Sequence, residues 1–174
     1  MKTKEIWTIG HSTHTFEAFI SLLKSFEIEL LVDVRRFPGS RRYPHFNKDN
    51  LDKSILEAGI KYIHMEDLGG RRTVQPNSKN DAWRLKSFQA YADYMETDDF
   101  KIAIKKLKSL AETNKTAIMC AEAVWWSCHR SLISDCLKYD EWTVMHITGK
   151  SKSTEHPYTK PAKIENGKLL YRKY

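Results

Sequence analysis

TAIMCAEAVWWSCHR, residues 116–130, is the stretch that decides both the fold and the place of the site. Its apolar opening, Ala117–Cys120, predicts a buried strand, and His129–Lys138 behind it predicts a helix. A short loop between a strand and a helix is where an α/β sheet places its ligand site. The first N–H groups of that helix are free and carry partial positive charge, so an anion is favoured there.

Strands alternate with helices along the rest of the chain, which is typical of a parallel sheet covered on both faces. Because two helices separate the third strand from the fourth, the chain can return to the middle of the sheet, which favours strand order 3-2-1-4-5 over the alternative 2-1-3-4-5. Besides the strand in the opening stretch, strands are predicted at Ile6–Gly10, Leu30–Val34, Ile60–Met65 and Trp142–Ile147.

The fold prediction is therefore a single Rossmann-like α/β domain over residues 1–174, with a mainly parallel five-stranded sheet and helices on both faces. The polar, proline-containing residues 150–174 are expected to form a surface loop and a C-terminal tail. Thr15 is expected to cap the first helix.

The net charge of +7 favours an anionic partner, which could be a small molecule, a nucleotide or a nucleic acid. The alternative is charge spread over the surface for solubility. No apolar run approaches the roughly eighteen residues of a membrane-spanning helix, and Met1–Ser12 has no signal-peptide core. With only three cysteines and no disulfide framework, we expect a cytoplasmic protein without a membrane partner. The sequence leaves its oligomeric state open.

Polar or reactive residues follow each predicted strand, and the ends of parallel strands meet at one edge of a sheet. An acid, a base and anion-holding groups would converge there. The alternative is that loops are polar because they are solvated. The catalytic candidates are His11, Asp33, Glu122 and Cys128, and the candidates for substrate binding are Ser12, Arg35, Ser40, Gly69, Gly70, Trp126, His129 and Arg130.

Cys128 precedes a predicted helix, a position that lowers the pKa of a thiol and makes it nucleophilic. The alternative is a packing or capping thiol, and Cys120 at the end of a buried strand is expected to be packed. Arg130 in the first helical turn runs against the helix dipole, which indicates a partner: Glu122, Asp33 or a bound anion. Trp126 could stack on a base or cover the core.

Several common cofactor and metal motifs are missing from the sequence. It contains no G-x-x-x-x-G-K and no G-x-G-x-x-G, so neither a P-loop nor a dinucleotide fingerprint is present. Its cysteines and histidines lack the spacing of common zinc modules, so no metal ligand is predicted. Any cofactor stays unknown.

Five short motifs, taken together, resemble the domain-of-unknown-function 488 family. In chain order they are Thr8–Ser12, Asp33–Arg35 with Pro38 and Ser40, Leu68–Gly70, Cys120–Glu122 with Cys128–Arg130, and His146–Ile147. The resemblance implies a single Rossmann-like domain. It supplies no reaction, substrate or cofactor, so function has to be argued from the site.

The function favoured by the residues is that of an enzyme, a hydrolase or a transferase, acting on a phosphorylated or nucleotide-like substrate. One alternative is a nucleic-acid-binding module without catalysis, and another is a small-ligand sensor. The enzyme is favoured because a pure nucleic-acid binder needs positive charge but no acids at the same edge.

Overall fold

The computed structural model describes residues 4–174 as an α/β protein, in agreement with the predicted class. Its main sheet has six strands, of which the first five are parallel and the sixth is antiparallel. In chain order the elements are β1 (Glu5–Gly10), α1 (Phe16–Ser25), β2 (Leu30–Asp33), α2 (Lys48–Glu57), β3 (Lys61–His64), α3 (Lys86–Met95), α4 (Asp98–Thr113), β4 (Thr116–Cys120), α5 (Arg130–Tyr139), β5 (Thr143–Gly149), β6 (Lys152–Glu155), β7 (Lys163–Glu165) and β8 (Lys168–Leu170).

The observed strand order is 3-2-4-1-5-6, so β4 lies between β2 and β1 and not beyond β1 as the order 3-2-1-4-5 required. Every residue of β4 is buried, and such a strand suits any interior position. The connection through α3 and α4 is long enough to reach either side of β1, so composition could not decide between the two places. β1 and β4 are neighbours, as expected, and their terminal residues Gly10 and Cys120 lie side by side.

Helices cover both faces of the sheet and bury its apolar side chains. On one face, α1 and α2 contribute the fully buried Phe19, Leu23, Leu51 and Ile55. On the other face lies a second apolar core to which α3, α4 and α5 contribute. The predicted cap of α1 is confirmed, because the Thr15 hydroxyl oxygen accepts a hydrogen bond from the Ala18 amide at 3.1 Å.

Residues 150–174 are more regular than the expected surface loop and tail. A tight turn returns the chain so that β6 pairs with β5, and β7 and β8 form a separate hairpin. The turn contains Ser151 with φ of 54°, a left-handed conformation for which glycine is the usual signal. Position 151 is not a glycine, which is why the pairing of β6 with β5 escaped prediction. No helix within residues 4–174 is both long and apolar enough to cross a membrane.

Gly10 allows the loop after β4 to approach the end of β1. A Cβ atom on Gly10 would lie 1.7 Å from the backbone oxygen of Glu122, which is a severe clash with backbone. The two loops are therefore in contact only because position 10 has no side chain.

We expect Gly10→Ala to lower the free energy of unfolding by about 3 kcal/mol, because the loop after β4 must move. Chemical denaturation of both variants measures this. Gly39→Ala is the matched control, since nothing lies within 4 Å of its added Cβ, and it should change stability by less than about 1 kcal/mol. Equal stability of the two variants would contradict the close approach.

Candidate functional site

A cavity of about 850 Å³, which we call the thiol cavity, opens where β1, β2 and β4 end. The strand ends converge there because the strands are parallel. Eight of the twelve predicted site residues line it: His11, Ser12, Arg35, Ser40, Gly70, Glu122, Cys128 and His129.

Two cysteines lie together in the wall of the thiol cavity. The sulfur atoms of Cys120 and Cys128 are 2.8 Å apart, and both residues are buried. Cys120, which the sequence suggested was only packed, is therefore in direct contact with the candidate nucleophile. The seven residues between them fold into a loop, so their spacing resembles no familiar dithiol motif.

The environment of Cys128 favours its thiolate. Burial by itself would raise the pKa of the Cys128 thiol, but the hydrogen bond with Cys120 and the charge of Arg130 outweigh it and lower the pKa. The opposite holds for Cys120, whose pKa is raised by burial and by its hydrogen bond with Cys128. The pKa of Cys120 thus lies above that of Cys128, so Cys128 is the thiol of the pair that ionises first.

Arg130 lies beneath the thiol cavity as a buried cation with 1% of its surface exposed. Its guanidinium donates to the Thr8 hydroxyl at 3.0 Å and to the backbone oxygens of Glu122 and Ala123 at 3.0 and 3.2 Å. Among the described residues no carboxylate pairs with it, so neither Glu122 nor Asp33 fills the expected role of ionic partner. A buried cation compensated by neutral groups favours an anion nearby, and its charge is one of the causes that lower the pKa of the Cys128 thiol.

Asp33 is fully buried and holds Arg35 in place. Its carboxylate accepts from Arg35 Nε at 2.9 Å and from Arg35 Nη2 at 2.7 Å, and it also accepts from the Tyr62 hydroxyl at 2.6 Å. Asp33 is thus below the cavity with both oxygens occupied, which suits a positioning role better than that of a general base. Arg35, in contrast, lines the cavity.

His11 presents an unprotonated ring nitrogen beside Arg35. Its Nδ1–H donates to the Ser12 carbonyl at 2.9 Å, and its ring stacks on Phe46 at 4.4 Å. Burial, with a smaller contribution from the Arg35 charge, lowers the pKa of His11 to about 4. Nε2, which is 3.4 Å from Arg35 Nη1, is therefore a lone-pair acceptor near neutral pH.

His129 is held in a similar state on the opposite wall. Its Nε2–H donates to the Val34 carbonyl at 2.8 Å, and its Nδ1 lies where a Cβ on Gly70 would be only 3.2 Å away. Burial, with a smaller contribution from Arg130, lowers its pKa to about 4. Two neutral imidazoles thus face the cavity without adding charge to it.

The other predicted site residues shape the loops around the cavity or lie at its edge. Ser12 adopts φ of 47°, and its amide donates to the Ala121 carbonyl at 3.0 Å, which joins the loops after β1 and β4. The Ser40 hydroxyl accepts from two backbone amides of its own loop. Glu122 is exposed where it lines the thiol cavity. Gly69 packs against the backbone of Arg36 and does not line the cavity.

Three arginines outside the twelve predicted site residues stand in the cavity lining beside Arg35. They are Arg36, Arg42 and Arg71, and Phe37 lies between two of them, with the Arg36 and Arg71 guanidiniums 5.4 and 5.6 Å from its ring centre. The cluster of basic residues after β2 was the available signal. Its members could not be ranked without knowing which side chains face the cavity.

A chain of buried hydrogen bonds leads away from Arg130. Thr8 accepts from Arg130, and its own proton goes to His146 Nδ1 at 2.5 Å. His146 Nε2 therefore donates to His156 Nδ1 at 2.8 Å, and His156 Nε2 donates to Asp135 at 2.8 Å. Burial, His156 and Arg130 together lower the pKa of His146 to about 2, so this ring stays neutral.

Fold and site together define an α/β protein with a cysteine- and arginine-lined cavity at the carboxyl end of its parallel strands. The family model described as "Domain of unknown function DUF488" matches residues 15–137, and the chain belongs to this family. Comparisons with curated proteins and with solved structures give no significant match. Within residues 4–174, no three histidine, cysteine or acidic side chains gather as metal ligands would.

We expect Cys128 to react faster with iodoacetamide at neutral pH than Cys136, whose pKa burial raises to about 12. Peptide mass spectrometry in the presence of a reductant identifies the labelled cysteine. In Cys120→Ala the pH midpoint of Cys128 labelling should move upward, because the thiolate loses a hydrogen-bond donor. Cys136→Ala should leave that midpoint unchanged. A Cys128 that labels no faster than a free thiol would rule out its activation.

Acid should destabilise the protein through His11, whose pKa is about 4 when folded and about 6.5 in an unfolded chain. Between those two pH values the unfolded state binds more protons than the folded state. The stabilising contribution of neutral His11 is therefore present above pH 6.5 and is lost as the pH falls through 4. We expect this histidine to account for about 2 kcal/mol of the loss between pH 7 and pH 5. Urea titrations of the wild type and of His11→Gln at both pH values measure this loss, which should be smaller in the variant. His14→Gln, in the same loop, should lose as much stability between pH 7 and pH 5 as the wild type.

Proposed function

We propose that this protein is an enzyme, a hydrolase or a transferase, that acts on a phosphate-containing, nucleotide-like substrate bound in the thiol cavity. One observation carries the proposal: Cys128 faces the cavity with a lowered pKa, in contact with Cys120 and above a buried Arg130 that no carboxylate of the described residues neutralises. A structural thiol has no need of such surroundings, whereas a nucleophile is activated by them.

The arginines of the cavity supply the means of holding a phosphate. Arg35 is fixed by its ion pair with Asp33, and Arg36, Arg42 and Arg71 stand in the same lining. Guanidiniums bind phosphate oxygens in pairs of parallel hydrogen bonds, which orients the substrate as well as attracting it. The overall charge of +7 assists the approach of such a ligand.

In the first chemical step, the Cys128 thiolate attacks the electrophilic centre of the substrate. The bond to Sγ forms while the bond to the leaving oxygen breaks, and that oxygen takes its proton from water in the open cavity. In the second step, His11 accepts a proton from the incoming water or acceptor hydroxyl, which then displaces Sγ. This role suits an imidazole that is neutral near pH 7. Glu122, exposed in the lining, is a second proton acceptor.

The compartment proposed for this chemistry is the reducing cytoplasm. All three cysteines are free, and the proposed nucleophile is active only as a thiolate.

We expect Cys128→Ala to lower the turnover rate by at least about a hundredfold, because the covalent step is lost. A panel of nucleoside phosphates and sugar phosphates is screened first by thermal shift, to find ligands that stabilise the protein. Product formation from those ligands is then followed by mass spectrometry. Cys136→Ala is the matched control and should turn over like the wild type. Undiminished turnover by Cys128→Ala would refute the nucleophile, and a panel without a stabilising member would refute the substrate class.

A further inference from the structure

A second cavity of about 1070 Å³, which we call the aromatic cavity, adjoins the thiol cavity. The turn Trp125–Ser127 separates the two: Trp125 and Trp126 line the aromatic cavity, whereas Ser127 lines the thiol cavity. Phe88 lines both. The chemistry proposed above uses no residue of the aromatic cavity, although a ligand that leaves the thiol cavity past this turn would enter it.

Five of the sixteen lining residues are aromatic, and one of them is available for stacking. Trp126 is 60% exposed and meets Trp125 edge-on at 5.5 Å. Trp125 in turn lies parallel to the buried His146 ring at 4.7 Å, so Trp125, which supports Trp126, is held in place. Trp83 and Tyr158 line the same cavity. An exposed indole on a rigid support is the arrangement on which proteins stack nucleobases.

The charged residues of the aromatic cavity all carry the same sign. They are Arg84, Lys160, Lys163, Arg172 and Lys173, and no acidic residue of the described chain lines it. Cations interleaved with aromatic rings match a ligand that alternates phosphates with flat bases. A purely apolar ligand would gain nothing from these five charges.

Two hydrogen-bond donors beside this cavity lack acceptors. Trp83 Nε1 and Arg172 Nε are buried without a partner among the described residues, and both residues line the cavity. Buried donors without partners cost stability, so a small shift of either side chain towards a ligand rich in acceptors would be favoured. Phosphates and base carbonyls are such acceptors.

We propose that the aromatic cavity binds single-stranded nucleic acid, with a base stacked on Trp126 and the backbone on the surrounding cations, and that the strand continues into the thiol cavity. This inference rests on the proposed function and names its substrate class. Each cavity is large enough for a nucleotide by itself, so the two together fit neighbouring nucleotides of one strand. A duplex is excluded because its bases are already stacked and offer no face to the tryptophan.

The test measures fluorescence anisotropy of labelled single-stranded DNA and RNA oligonucleotides titrated with Cys128→Ala protein, which binds without reacting. We expect salt-dependent binding, weakened roughly tenfold by Trp126→Ala and largely restored by Trp126→Phe, which keeps an aromatic face. Trp126 is mostly exposed, so its removal leaves the fold intact, as circular dichroism can check. Lys160→Glu with Lys163→Glu should weaken binding more than Lys105→Glu with Lys106→Glu, which changes the net charge equally on exposed positions of α4.

Any one of the following results would overturn this inference: equal weakening by both pairs of charge reversals, equal affinity for a duplex of the same length, or no effect of Trp126→Ala. Affinity that does not rise from a mononucleotide to a longer strand would also overturn it. Failure of the proposed function looks different. In that case the strand binds through Trp126 but the unmodified protein turns over neither strands nor small phosphates. Turnover of a small phosphate without strand binding would leave the proposed function intact and reject this inference alone.

Discussion

The structure depends on one buried cation, the guanidinium of Arg130. Burying a charge is costly unless it is hydrogen-bonded. The acceptors for the two Nη atoms come from different parts of the chain, the Thr8 hydroxyl in β1 and two carbonyls of the loop after β4, whereas Nε has no partner among the described residues. The same charge favours the thiolate of Cys128, two residues before it. Any displacement of the β4 loop would therefore uncover the cation and weaken the thiolate together.

The Arg130 site extends into the C-terminal part of the chain. Thr8 can accept from Arg130 in a fixed direction because its own proton is taken by His146, whose other nitrogen donates to His156. His156 Nε2 is 2.8 Å from Asp135, so a continuous line of buried hydrogen bonds joins this carboxylate to the Arg130 guanidinium. Residues after β5, expected to be a solvated loop, thus set the orientation of a hydroxyl beneath the thiol cavity.

The sequence predicted the α/β class, the contact of β1 with β4, and eight of the residues that line the thiol cavity, because apolar strands followed by polar groups leave few other arrangements. It could not predict what each polar group binds. Asp33 at a strand end looks the same whether it is free or, as observed, occupied by Arg35 and Tyr62. The contact of Cys120 with Cys128 depends on the path of a loop, and loop paths have no periodicity to read.

The two buried arginines of the site show why net charge alone is a poor guide to it. Arg35 is paired with Asp33 on two nitrogens, so its positive field at the cavity is largely cancelled at short range. Arg130 has only neutral acceptors among the described residues besides the Cys128 sulfur, and its field is not cancelled in this way. The chemistry of the cavity therefore depends on the absence of a carboxylate beside Arg130 among the described residues. The number of lysines and arginines in the sequence cannot show this feature. The +7 charge of the chain governs encounter with an anion, whereas the unpaired guanidinium governs what happens to the thiol once the anion is bound.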